Sequence, residues 1–184
     1  MQLPLFQPKS EWVPPSEFPD LSQFKQISVD LETYDPNLRT HGSGWPRKDG
    51  YVIGIAVAAD EEAYYFPIRH EAGGNLDEAI VWRWLKKQMQ APSAKIFHNA
   101  QYDIGWLRAS GVREINGVII DTMIAAPLID ENRMSYALNA LGKTYLQERK
   151  DESLLEEAAK EWGVNAKSDM WRLPPQYVGP YAEQ

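Results

Sequence analysis

Cysteine is missing from the chain, histidine occurs only three times, and no apolar run approaches the length needed to cross a bilayer. Without cysteine there is no disulfide framework, no thiolate metal site and no sulfur nucleophile. His41, His70 and His98 are too few and too scattered for a histidine-rich zinc site, which leaves carboxylates as the ligands of any metal. Positive charge is also scarce: 19 Lys and Arg stand against 26 Asp and Glu, a net charge of -7. That balance excludes broad adhesion to duplex DNA through a basic face. It leaves open a phosphodiester held through cations on a carboxylate cluster, because bound cations invert the local electrostatics. The start, Met1 to Trp12, lacks the basic segment and continuous apolar stretch of a signal peptide. The protein is expected to be soluble and cytoplasmic, with no membrane contact.

What is present suits one domain: 184 residues, 43% of them hydrophobic, can bury a single sizeable core. Residues 1–24 carry Pro4, Pro8, Pro14, Pro15 and Pro19 with little periodicity, and read as an irregular N-terminal arm ahead of a domain over 25–184. From Gln26 the texture changes. "QISVDLET" alternates Ile27, Val29 and Leu31, and "YVIGIAVAA" is a strand buried on both faces. "AYYFPI" is a third strand, with Pro67 marking an edge or a strand end. Leu76, Ile80, Trp84 and Leu85 recur at helical spacing in "LDEAIVWRWLKKQMQ". "AKIFH" and "GVIID" are two further strands on either side of the helix "NAQYDIGWLRASG", which Gly111 closes, and three helical segments follow. The order predicts an α/β fold: a three-stranded meander, then two strands with helical crossovers, giving a mixed five-stranded sheet covered by helices. The last residues, "YVGPYAEQ", read as a helix opening with Gly179 at the cap, Pro180 at the first position and Glu183 in the first turn.

Two carboxylates sit where a strand meets a loop. Asp30 and Glu32 are two apart, so both side chains leave the same face of the strand. Two such charges repel, and a divalent cation is the usual compensation, although a solvated strand end reads the same way. Asn99 and Asp103 lie four apart near the start of a helix that follows a strand, where α/β sheets gather their sites. A helix cap and a first-turn dipole partner are the plainer alternatives. His98 suits a strand-end hydrogen bond better than a general base, while His70 stays open. Trp82, Trp84 and Trp106 suit packing, and the glutamates of "KDESLLEEAAKEWG" a solvated face.

In order, "ISVDLET", "KIFHNAQYDIGWL", "IIDTMIAAPLID", "SYALNALGKTYL" and "YVGPYAEQ" resemble the motifs of DEDD-type 3′-to-5′ exonucleases of the tyrosine subtype and ribonuclease H-like fold. They are most similar to the proofreading domain of phage and bacterial family A DNA polymerases. The resemblance implies two divalent cations, Mg²⁺ or Mn²⁺, with Asp30, Glu32 and Asp103 as their ligands and Tyr181 orienting the attacking water. Tyr177 is a rival for the tyrosine role. The family's last aspartate follows the tyrosine by four residues, which here is position 185, so the resemblance implies a domain cut within its last helix and impaired in this form. Thr33, Asn99 and Arg133 become candidates for binding the substrate. The implied activity removes nucleotides from single-stranded DNA 3′ ends, with a polymerase domain as a possible C-terminal partner and a phage or prophage as a possible source. Alternatives are a stand-alone, ribonuclease D-like enzyme acting on RNA, or a binding module on a degenerate exonuclease fold.

Overall fold

The computed structural model describes residues 4–184. After an extended arm and a 3-10 turn at Leu21–Gln23, the sheet begins with β1, Gln26–Tyr34, and continues with β2, Tyr51–Ala59, and β3, Glu62–Pro67. Between β1 and β2 the chain makes a short helix, α1, Leu38–His41, and a 3-10 turn, Trp45–Arg47, inside the segment that composition marks as a polar loop. Helix α2, Glu78–Gln90, leads to β4, Ala94–Phe97, and α3, Ala100–Ala109, to β5, Ile119–Asp121. Four helices complete the chain: α4, Thr122–Ile129; α5, Leu138–Tyr145; α6, Ser153–Trp162; and α7, Pro175–Ala182. No described helix is long and apolar enough to cross a membrane.

The sheet order is β3-β2-β1-β4-β5, antiparallel across the first three strands and parallel from β1 to β4 to β5. This is the mixed five-stranded arrangement that the strand patterns predict. Each face of the sheet has its own core. On one, Ile27, Val29, Leu31, Val57 and Phe97 pack against Trp84, Leu85, Trp106 and Leu107 of α2 and α3. On the other, Ala56 and Tyr65 meet Leu155 and Ala159 of α6 and Val178 and Ala182 of α7. The face of α2 differs from the expected one, since Ile80 is exposed and Val81, Trp82 and Met89 are buried instead. Helix α2 begins at Glu78 because the Asp77 carboxylate caps it, accepting from the Ile80 N–H at 3.0 Å.

Helix α7 corrects the reading of the chain's last residues. It starts at Pro175, a proline at the first helical position, so Pro180 lies inside the helix and Glu183 beyond its last turn. An interior proline cannot donate to the carbonyl four residues back, which here belongs to Gln176. The Ser10 hydroxyl donates to that carbonyl at 2.7 Å, so the N-terminal arm fills the gap. Gly179 is no cap either. A Cβ there would stand 2.1 Å from Cε2 of Trp12, so glycine lets the arm's indole lie directly on the helix. The Glu183 carboxylate accepts from the backbone N–H of Tyr65 at 2.9 Å, tying the end of α7 to β3.

Candidate active site

The site forms where β1 outruns its neighbour. Strand β4 pairs with β1 only from Gln26 to Ser28, so the β1 edge beyond Ser28 needs other partners on that side. Asp103 of α3 supplies one, its Oδ1 accepting from the Leu31 N–H at 3.2 Å. Asp30 and Glu32 pair with Ala56 and Gly54 of β2, so their side chains leave the sheet on the face that α6 and α7 cover. Between Glu32 and Thr33 the register slips and Ile53 becomes the extra residue of a β-bulge, a device that re-aims side chains next to sites.

The electrostatics show how closely the carboxylates are grouped. Burial, and then the charge of Asp30, push the Glu32 carboxyl up to about 8, against a smaller pull from Lys150 and Lys167. Burial and Asp30 likewise push Asp103 up to about 8, although the Leu31 N–H favours its ionised form. Among the described residues no three His, Cys, Asp or Glu side chains form a ready-made ion cage. The donors available are all carboxylate oxygens, with the charge of Asp30 raising the pKa of both Glu32 and Asp103, a set suited to hard divalent cations. Mg²⁺ in particular is held by one or two carboxylates and completed by water and phosphate oxygens.

Helix α7 brings Tyr181 to this group: burial first, then the charges of Glu32, Glu152 and Asp30, raise its phenol. The Lys150 ammonium lies over its ring, 4.5 Å from the centroid. Tyr177 is separated from the group. Its hydroxyl donates to the Pro8 carbonyl at 3.0 Å and its ring is wholly buried against Trp162. A cavity of about 300 Å³ opens beside Asp30, lined by Ala56, Ile96, His98, Leu138 and Lys150 among others.

Of the remaining sequence candidates, Thr33 is placed next to the carboxylates, its hydroxyl 2.7 Å from that of Tyr102. Tyr102 in turn donates to Asp35 at 3.2 Å, and burial pushes its phenol up to about 12. Asn99 holds a left-handed conformation, φ 72°, with an exposed side chain that does not cap α3. Capping falls to Asp121, whose carboxylate accepts from the N–H groups of Asn99, Ala100 and Met123 at 3.0, 2.8 and 2.9 Å. Burial pushes the Asp121 carboxyl up, but the Ala100, Asn99 and other backbone N–H groups together hold it below its ordinary value. Arg133 is not among the carboxylates. It donates to the Thr144 hydroxyl at 2.6 Å and lies over the Tyr145 ring. His98 shares the cavity with Asp30, its Nδ1 2.9 Å from the Thr122 hydroxyl, and burial lowers its pKa. Sequence reasoning passed over Tyr102, Lys150 and Asp121. Tyr102 stood next to Asp103 in "QYD", while nothing local distinguished the other two.

His70 is a packed neutral residue. A carbonyl only accepts, so Nδ1 donates to Leu173 O at 2.8 Å and Nε2 accepts from the Tyr65 hydroxyl at 2.8 Å. Burial pushes it down from 6.5 to about 4. The unfolded chain therefore takes up this proton first as the pH falls. The contribution of His70 is complete above pH 6.5 and is lost on the way to pH 4, a change of about 3 kcal/mol. Urea denaturation of the protein and of His70→Gln between about pH 7 and 4.5 should show the gap between them shrinking as the pH falls. A constant gap would mean that His70 is not held neutral. Glu32 and Asp103 act in the opposite sense and are common to both proteins.

A family model described as 3′-5′ exonuclease matches residues 18–184. The chain belongs to this exonuclease family. Its relatives include a DNA-directed DNA polymerase of Pseudomonas phage M6, 38% identical over 100% of this chain and 29% of the relative. Another is the DNA polymerase DpoZ of Acinetobacter phage SH-Ab 15497, 31% identical over 90% of the chain and 25% of the relative. The chain thus spans under a third of either polymerase. Among solved structures, Brucella melitensis NrnC bound to pGG matches with a TM-score of 0.54 at 19% identity, covering 89% of this chain and 75% of that one. Escherichia coli RNase D matches at 0.51 and 20% identity, covering 85% and 37%. These likenesses show that the chain has the ribonuclease H-like fold.

Proposed function

We propose that this chain is a metal-dependent exonuclease domain that removes nucleotides from single-stranded DNA 3′ ends as the proofreading part of a polymerase in the cytoplasm of an infected host. The observation that carries the reading is the grouping of Glu32, Asp103 and Tyr181 around Asp30, which lines the cavity, in a chain whose relatives are DNA polymerases. Asp30, Glu32 and Asp103 would hold Mg²⁺ or Mn²⁺, which when bound supplies charge for the phosphoryl oxygens and a more acidic water.

The chain's own residues do the rest. Tyr181 keeps its phenolic proton under the charges of Glu32 and Asp30, so it donates a hydrogen bond to a water and orients it. The Lys150 ammonium at its ring adds a positive charge to an otherwise acidic site. The cavity beside Asp30 is of a size to take the terminal nucleotide. Thr33, paired with Tyr102, and Asn99 with its exposed side chain are candidates for contacts to the strand, while Arg133 on its separate segment is a candidate for a more distant phosphate.

The test is shortening of a 5′-labelled single-stranded DNA and a matched RNA in Mg²⁺ or Mn²⁺. It compares this chain, the chain extended through the next helical turn with aspartate at position 185, and the extended Asp30→Ala control. We expect slow shortening by the 184-residue form and an increase of at least about 10²-fold on extension, in line with the gain from one electrostatic stabiliser. DNA should be preferred and the control silent. An inert extended form that still binds DNA would sink the enzymatic reading, and preference for RNA would favour the ribonuclease D-like one. Tyr181→Phe in the extended form should lower turnover by about 10²-fold, the lower end for general-acid–base assistance, with cation affinity unchanged.

A further inference from the structure

A second cavity, of about 310 Å³, lies at the end of the sheet where β2 begins, on the side of α2 and α3. Its walls are aromatic: Trp45 from the loop after β1, Tyr51 from β2, Trp82 from α2 and Trp106 from α3. Its rim is cationic in a chain whose net charge is -7. Lys48 is exposed and makes no ion pair among the described residues. Arg69 stacks over the Tyr51 ring at 5.5 Å and donates through Nε to Glu78 at 2.8 Å. Glu78 also accepts from the Trp82 indole at 3.1 Å, so the cavity's one carboxylate is already engaged.

The Trp106 indole is 3% exposed and meets the Tyr102 ring edge-on, with centroids 6.4 Å apart. Position adds the last element. Val52 and Tyr51 of β2, which line the cavity, pair with Thr33 and Tyr34 of β1, so it lies across from the two residues that follow Glu32. Trp45 reaches its place because α3 carries Gly105 beneath it, where a Cβ would stand 2.3 Å from the ring.

We infer that this cavity is a subsite for an upstream nucleotide of the strand whose 3′ end lies at the carboxylates. The base stacks on the indoles, and its phosphate meets Lys48 and Arg69. The inference deepens the proposed activity and rests on it. A free mononucleotide has the same chemistry, so the experiment separates the two.

Fluorescence anisotropy of this chain with labelled oligothymidylates from two to ten nucleotides, in Ca²⁺ to suppress hydrolysis, reads affinity against length. Photocrosslinking with 5-iodouracil placed at each position locates the bases. Affinity should rise with length, and Lys48→Gln and Trp45→Ala should each lower it for the long strands while leaving the dinucleotide unchanged. For Trp45→Ala the loss should be fivefold to a hundredfold, roughly that of one stacked base. Crosslinks from internal positions should fall on peptides holding Trp45 or Trp82, and those from the terminal base should not. An unchanged length dependence in both variants, or internal crosslinks elsewhere, overturns the subsite while leaving the exonuclease reading intact. Quenching of these tryptophans by free deoxynucleotide with no length dependence overturns the strand assignment. Failure of every oligonucleotide to bind removes both readings together. Lys48 is exposed, so Lys48→Gln keeps the test decisive if Trp45→Ala unfolds.

Discussion

Asp30→Asn is expected to silence strand shortening and, in the same protein, to raise the melting temperature of the metal-free chain at alkaline pH. The loss of activity should reach at least about 10³-fold, the upper range for removing one electrostatic stabiliser from a site. The gain in stability follows from two neighbours. Glu32 and Asp103 are each pushed up to about 8, first by burial and then by the charge of Asp30. A carboxyl whose pKa is raised on folding favours the folded state while protonated, and that advantage is lost as the pH rises through the folded value. Removing the charge of Asp30 moves both groups back toward their ordinary range. The benefit should appear above about pH 8 as on the order of 1 kcal/mol, or about 2–4 °C for a chain of this size. Near pH 5, where Glu32 and Asp103 hold their protons in either protein, it should vanish. Melting curves at the two pH values decide the point. A shift of equal size at both would mean that Asp30 does not act on its neighbours through charge.

Gly179→Ala is expected to destabilise the chain by about 1–3 kcal/mol, the range for overpacking a filled site. The new methyl would meet the Trp12 ring at 2.1 Å, and the neighbouring backbone of α7 is held from both ends. Ser10 bonds Gln176 on one side and Glu183 bonds Tyr65 on the other, so the helix has little freedom to retreat. Tyr181 lies two residues on, and turnover of the extended form should fall with the displaced helix. Pairing the change with Trp12→Ala separates crowding from helix propensity. In a double-mutant cycle the second substitution should remove most of the penalty of the first. Additive losses would show that indole and glycine do not share the space.

The parts of this arrangement legible in the sequence are those whose signal is local. Alternation along "ISVDLET" places Asp30 and Glu32 on one strand face, and the strand-to-helix sequence around Asp103 puts that residue at a sheet end. Strand order follows from the hairpin-length turn at Asp60 and Glu61 and from the helical crossovers. The errors arise where distant residues decide the outcome. Pro180 reads as a helix start because a proline inside a helix leaves a carbonyl bare. Its partner, Ser10, is 166 residues from Gln176. Gly179 reads as a cap because its true neighbour, Trp12, comes from the arm. Lys95 would be taken for a surface residue, yet its ammonium is wholly buried, donating to the carbonyls of Ala91, Ser93 and Asn116. No periodicity announces three carbonyls converging from two loops.

The carboxylate of Asp121 acts as a joint. The same two oxygens close the start of α3, which carries Asp103, and the start of α4, which leads toward α5 and Arg133. Tilting α3 away would strip the half-buried Ala100 N–H of its acceptor, at about 1–3 kcal/mol. Two helices pinned at one point turn most cheaply as a single lever. A displacement of α4 is thus felt, through Asp121, at the start of α3 and in the position of Asp103 against β1.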